Sequence, residues 1–97
     1  MATARRYPPN RQLTWERLER GWSYDELCER IKGSMRDTGE VDTGLTGNTV
    51  RRWETGERWP DSRFRKHLVT VLGRPASQLG LLTSDELANT TRFTGIF

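Results

Sequence analysis

The chain predicts an all-α fold, a compact set of five short helices around one small core. Three observations predict it. Apolar residues recur three and four apart, with no useful length of strand-like alternation. Good capping residues open the periodic stretches and glycines close them. The length, 97 residues, suits one domain, and 33% hydrophobic residues with four tryptophans can anchor a modest core.

Residues 1–10 hold Pro8-Pro9 and two arginines and read as a flexible arm. Asn10 caps a first helix over 11–20, with Leu13, Arg17 and Leu18 on one stripe and Gly21 after it. Ser23 opens a second helix, and Glu26 three residues on gives the spacing of a capping box. Tyr24, Leu27, Cys28 and Ile31 share its inner face, and Gly33 is expected to stop it near Lys32. Residues 34–45 are rich in Gly, Asp, Ser and Thr and read as a long loop.

Thr46 can cap a third helix of about 46–57. Val50 and Trp53 point inward from it, while Asn48, Thr49, Arg51 and Arg52 point outward. Gly56 and Trp59-Pro60 close that segment. Asp61 or Ser62 opens a fourth helix, whose Phe64, Leu68, Val71 and Leu72 share a face and which Gly73 ends. Pro75 starts a short fifth helix around 76–82. The organised domain therefore spans 11–82. Residues 83–97 read as a tail or the start of a missing segment, with a weak helix start at Ser84–Leu87. Leu79, Leu81, Leu82 and Leu87 are the expected partner or dimer surface.

The net charge of +3 is concentrated. Residues 1–46 hold eight basic and eight acidic side chains, residues 47–66 hold six basic and three acidic, and the rest balance. Such a segment attracts phosphate, or is simply a solvated charged face. No apolar stretch is long enough for a membrane span, so no membrane partner is expected. Cys28, the single cysteine, cannot form an internal disulfide, which makes a reducing cytoplasm the default location.

Cys28 reads as structural, and His67, with no Cys or His at ligand spacing, as a surface or boundary residue. Asp37, Glu40 and Asp42 resemble a cation loop only loosely and read as solvated. No metal or other cofactor is expected. No nucleophile motif, phosphate loop or supported carboxylate pair appears, so an enzyme is not expected. Trp22 and Trp53 read as core. Trp15 and Trp59 stand open between core and stacking platforms for single-stranded nucleic acid.

The second and third helices form a helix-turn-helix candidate. A helix fits the major groove, and its N-terminal side chains reach base edges. Asn can bond adenine in bidentate fashion and Arg can do so with guanine. Asn48 and Arg52, four apart, share one helix face.

Leu18-Glu19-Arg20-Gly21-Trp22-Ser23, Glu26-Leu27-Cys28, the run from Leu45 to Pro60 and Leu68 through Leu79 carry a resemblance. Over Leu13–Leu82 the chain resembles the Cro/cI-repressor (XRE-like) family, the phage-repressor type of helix-turn-helix domain. Its excess of Arg over Lys looks like the family's actinobacterial versions. The long run is the specific part, because family members commonly show V-S-x-x-T-I-x-x-W-E-x-G-x-x-x-P there.

The resemblance implies five helices and sequence-specific binding of double-stranded DNA by a transcriptional regulator, usually as a two-fold pair. It places base reading at Thr46, Gly47, Asn48, Thr49 and Arg52, with Arg51 beside them on the flank. It places phosphate contacts at Ser23, Tyr24 and Arg58, with Arg63 nearby, and a structural ion pair between Arg17 and Glu54. Three departures stand out: the longer link over 33–45, Tyr24 where Gln is frequent, and Gly47 where a side chain often reads a base. The acidic loop and Gly47 support an alternative, a protein-interaction module such as an antitoxin that keeps the fold. A protein partner or a C-terminal effector domain fits either reading.

Overall fold

A computed structural model describes residues 7–41, 44–83 and 85–86. Its described residues form four α-helices and one 3-10 helix, with no strand. The α-helices are α1 (Arg11–Glu19), α2 (Tyr24–Asp37), α3 (Gly47–Thr55) and α4 (Ser62–Leu72). The expected fifth helix is a single 3-10 turn, Ala76–Leu79, ended by Gly80 in the left-handed region.

The core is built from α2, α3 and α4. Leu27, Cys28, Ile31 and Met35 of α2 face Val50 and Trp53 of α3 and Leu68 and Leu72 of α4. Leu13, Leu45, Leu79 and Leu81 close it. Leu79 and Leu81 are fully buried, so they cannot form the expected partner surface; Leu82 is half-buried, and Leu87 lies outside the described residues.

Helix α2 does not stop at Gly33. It continues to Asp37 because Met35 extends the inner face and is fully buried. Burial of one such side chain, about 1.5–3 kcal/mol, outweighs the roughly 1 kcal/mol that a glycine costs inside a helix. The link to α3 is therefore residues 38–46, shorter than expected.

Helix α1 is held in a different way. Leu13 is its buried apolar residue, and Leu18, expected on the inner stripe, is 60% exposed. Charged contacts fix the helix instead. Glu16 and Arg20 pair at 2.7 Å, and Arg20 Nη2 donates at 2.6 Å to the Leu72 carbonyl at the end of α4. That bond satisfies an orphan carbonyl of the last turn and places a cation at the negative end of the helix.

Of the stretch read as an arm, Tyr7–Asn10 is bonded to the end of α3, and residues 1–6 lie outside the described residues. Tyr7 N donates to Gly56 O and Asn10 N to Glu54 O, so the segment runs along the end of α3. Asn10 is buried. Its Oδ1 caps α1 by accepting from Leu13 N at 3.0 Å, and its Nδ2 donates to Leu79 O at 2.8 Å. One side chain thus joins the start of α1 to the end of the 3-10 helix. At the other end of the chain, Thr83 Oγ1 accepts from Glu86 N and Glu86 pairs with Arg65 of α4, while Ser84 lies outside the described residues.

Candidate nucleic-acid interface

Helix α3 has two faces of opposite character. Inward lie Val50 and Trp53, with Trp53 set 5.5 Å from the Phe64 ring. Outward lie Asn48, exposed, and Thr49, Arg51 and Arg52, partly exposed. Among the described residues no hydrogen bond or ion pair engages the side chain of Arg52 or of Arg58. Thr46 sits at the N-cap, but its hydroxyl makes no bond to the helix backbone and faces the Thr49 hydroxyl at 3.4 Å.

Gly47 is not an outward position. It is buried, and a Cβ there would lie 2.0 Å from Asp25 Oδ1. The missing side chain lets the start of α3 approach the start of α2. Gly47 therefore sets the spacing of the two helices and offers no group to a ligand.

The phosphate candidates divide. Ser23 accepts from Glu26 N at 3.1 Å and completes the capping box, leaving its hydroxyl proton available at the exposed start of α2. Tyr24 is half-buried with its ring under the Arg17 guanidinium at 4.2 Å. Arg58 is exposed in the turn after α3, and Arg63 stacks on the Phe64 ring at 4.8 Å.

The tryptophans also divide. Trp53 is core, while Trp22 packs against the core beneath Arg30. Trp59 is half-buried against Tyr7, and Trp15 is 57% exposed.

The Arg17–Glu54 pair holds α1 to the far end of α3. Arg17 Nε donates to Glu54 Oε2 at 2.7 Å, and the side chains are 8% and 2% exposed. Thr14 Oγ1 also donates to Glu54, and Arg17 Nη1 donates to Trp22 O. The Glu54 hydrogen bond, ahead of its charge, pushes the guanidinium pKa above its ordinary value.

Of the acidic residues after α2, Glu40 is tied down away from this face. Glu40 bonds His67 Nε2 and lies 3.5 Å from Lys66 Nζ, both on α4. His67 is fully buried, not on the surface, because it lies on the same face of α4 as Leu68. Its Nδ1 shares a 2.8 Å bond with the Ser34 hydroxyl. The Thr38 hydroxyl first, then His67 and Lys66, lower the Glu40 carboxyl to about 2. Ser34 lies nine residues along α2 from Asp25, about 13 Å at the helical rise. Glu40 is thus held near the opposite end of α2 from the start of α3. Asp42 lies outside the described residues.

Among the described residues no cluster of His, Cys, Asp and Glu is placed to hold a metal ion, and no helix is long and apolar enough to cross a membrane. No family model, curated protein or solved structure matches the chain.

Proposed function

We propose that the chain is a sequence-specific double-stranded DNA-binding protein of the helix-turn-helix kind, similar to the Cro/cI-repressor family, and acts as a transcriptional regulator. Helix α3 is the reading helix. The observation that carries this is its outward face, where Asn48 is exposed and Thr49 and Arg52 are partly exposed, while Glu40 is held against α4. Asn48 and Arg52 supply the edge-reading chemistry, and Arg58 and the Ser23 hydroxyl flank them as phosphate contacts.

Selection from a random duplex library, followed by affinity measurement against salt, tests it. Affinity should fall steeply as salt rises. Arg52→Ala should cost about 1–3 kcal/mol and relax one base position. A flat salt dependence, or an unchanged affinity on Arg52→Ala, overturns the reading.

A protein-interaction module such as an antitoxin is the second reading, and one observation favours it. Trp15 and Leu18 are exposed on α1, and Trp15 lines a groove of about 660 Å³ that also takes in Arg11 and Arg74. Trp15 is two residues from Arg17, about 200° around the helix, so this surface faces away from α3. If Trp15→Ala abolishes capture of a defined partner while duplex binding is weak and salt-insensitive, this second reading displaces the first.

A further inference from the structure

Arg51 differs from its neighbours on the outward face. Its guanidinium is engaged at two points: Nε donates to Asn48 Oδ1 at 2.9 Å, and Nη1 donates to Glu57 Oε2 at 3.0 Å. Glu57 is itself fixed, since Thr55 Oγ1 donates to the same Oε2 at 2.8 Å.

The backbone explains why Glu57 lies there. Gly56 takes a left-handed conformation at φ 88°, and the Glu57 and Arg58 amides fold back onto Arg52 O. Any other residue at 56 would be strained, and its Cβ would lie 2.2 Å from Tyr7 O. The turn therefore returns a carboxylate to the flank of α3. Hydrogen bonding from Thr55, then the charge of Arg51, hold that carboxyl below its usual range, so it is ionised at neutral pH.

The series Thr55, Glu57, Arg51, Asn48 ends on an amide. A free Asn amide rotates and presents either its oxygen or its NH2 to a given base atom. Pinning Oδ1 to Arg51 removes that choice. One Oδ1 lone pair and the Nδ2 hydrogens remain for a ligand. That set fits an edge offering one donor and one acceptor, which is the major-groove edge of adenine. Guanine presents two acceptors there, and the pinned oxygen would face one of them without a proton between.

Resting on the reading of α3 as a DNA-reading helix, we infer that Arg51 is a positioning residue, held by Glu57, that fixes the Asn48 amide so that it accepts adenine over guanine. Glu57 touches no base in this scheme and acts entirely through Arg51. Its second effect is to keep Arg51 from swinging to a phosphate, since the guanidinium is already neutralised on that side.

The test measures affinities of the full chain for the selected duplex and for duplexes changed at one base pair, using wild type, Asn48→Ala, Glu57→Gln and Arg51→Lys. Asn48→Ala identifies the base pair that Asn48 reads. Glu57→Gln and Arg51→Lys should each lose about three- to fivefold of the adenine-over-guanine preference at that same pair. Preferences elsewhere should hold, since separated positions contribute nearly independently. One variant removes a negative charge and the other keeps the positive charge, so a shared effect at one base pair is not a charge effect. Charge alone would tighten Glu57→Gln on every duplex alike.

If Arg51→Lys instead relaxes a different base pair, Arg51 reads its own base and the inference is overturned. It is equally overturned if Glu57→Gln leaves the adenine preference intact. If wild type prefers no sequence at all, the DNA-reading proposal itself fails, an outcome distinct from the other two.

Discussion

Two arginine–glutamate pairs sit on α3, and they differ in nearly every respect except chemistry. Arg17–Glu54 is almost fully buried, while Arg51–Glu57 is 39% and 19% exposed. The buried carboxylate receives three hydrogen bonds, from Arg17 Nε, Arg17 Nη2 and Thr14, and cements α1 to the helix. The exposed pair lies within reach of water, where Coulomb attraction is weak and side-chain entropy opposes it. The first pair matters because breaking it strands a charge in a dry place. Any importance of the second lies in where it points a neighbouring amide.

The comparison breaks most easily at Glu54. Glu54→Ala should cost about 3–5 kcal/mol and lower Tm by on the order of 15 °C or more, read by thermal unfolding. A fall of only a few degrees would mean that the buried pair is as dispensable as a surface one. Replacing both partners with apolar residues of similar size, Arg17→Met with Glu54→Leu, should recover most of the loss, because the penalty belongs to the unpaired charge.

Asn10 tests whether buried neutral bonds behave like the buried pair. Asn10→Ala removes the α1 cap and strands the Leu79 carbonyl, and should cost about 2 kcal/mol by urea unfolding. Gly33→Ala sets the scale of a change without electrostatics. A Cβ there meets nothing closer than Arg36 Nη2 at 3.8 Å, so helix propensity alone should stabilise by about 0.5–1 kcal/mol.

Glu40 lies between the extremes, partly exposed but anchored on buried His67. Its pKa is lowered from 4.5 to about 2, so its contribution is present above pH 4.5 and is lost as pH falls toward 2. Melts of wild type and Glu40→Gln should differ near neutral pH and converge across that window. The smallest effect on stability belongs to the exposed pair. Glu57→Gln should leave Tm at the wild-type value while changing sequence preference.

Much of the fold was legible locally. Asn10, Ser23 and Asp61 cap the helices that follow them, and Val50, Trp53, Leu68 and Leu72 face the core as their spacing indicates. The extension of α2 was not read because Gly33 signals an end. The continuing spacing Cys28, Ile31, Met35 carried the opposite signal, and burial decided between them. His67 fits the same pattern, three residues after Phe64 and next to Leu68, yet a lone histidine without ligand partners reads as a surface or boundary residue.

The candidate site was less legible. Periodicity put Asn48, Thr49, Arg51 and Arg52 on the outward face, but Gly47 turned inward against a carboxylate more than twenty positions away. The engagement of Arg51 by Glu57 depends on a left-handed turn at Gly56, and the tethering of Glu40 depends on two helices distant in sequence. Such pairings follow from packing, which spacing along one helix does not encode.

Cys28 is 2% exposed, on the face of α2 that meets Leu45, and it is the chain's sole thiol. A thiol reagent can reach it only when the centre of the molecule opens, so labelling the unmodified protein times that opening without any added probe. Shielding of the sulfur by a bound partner would then report how tightly that partner holds the native state closed.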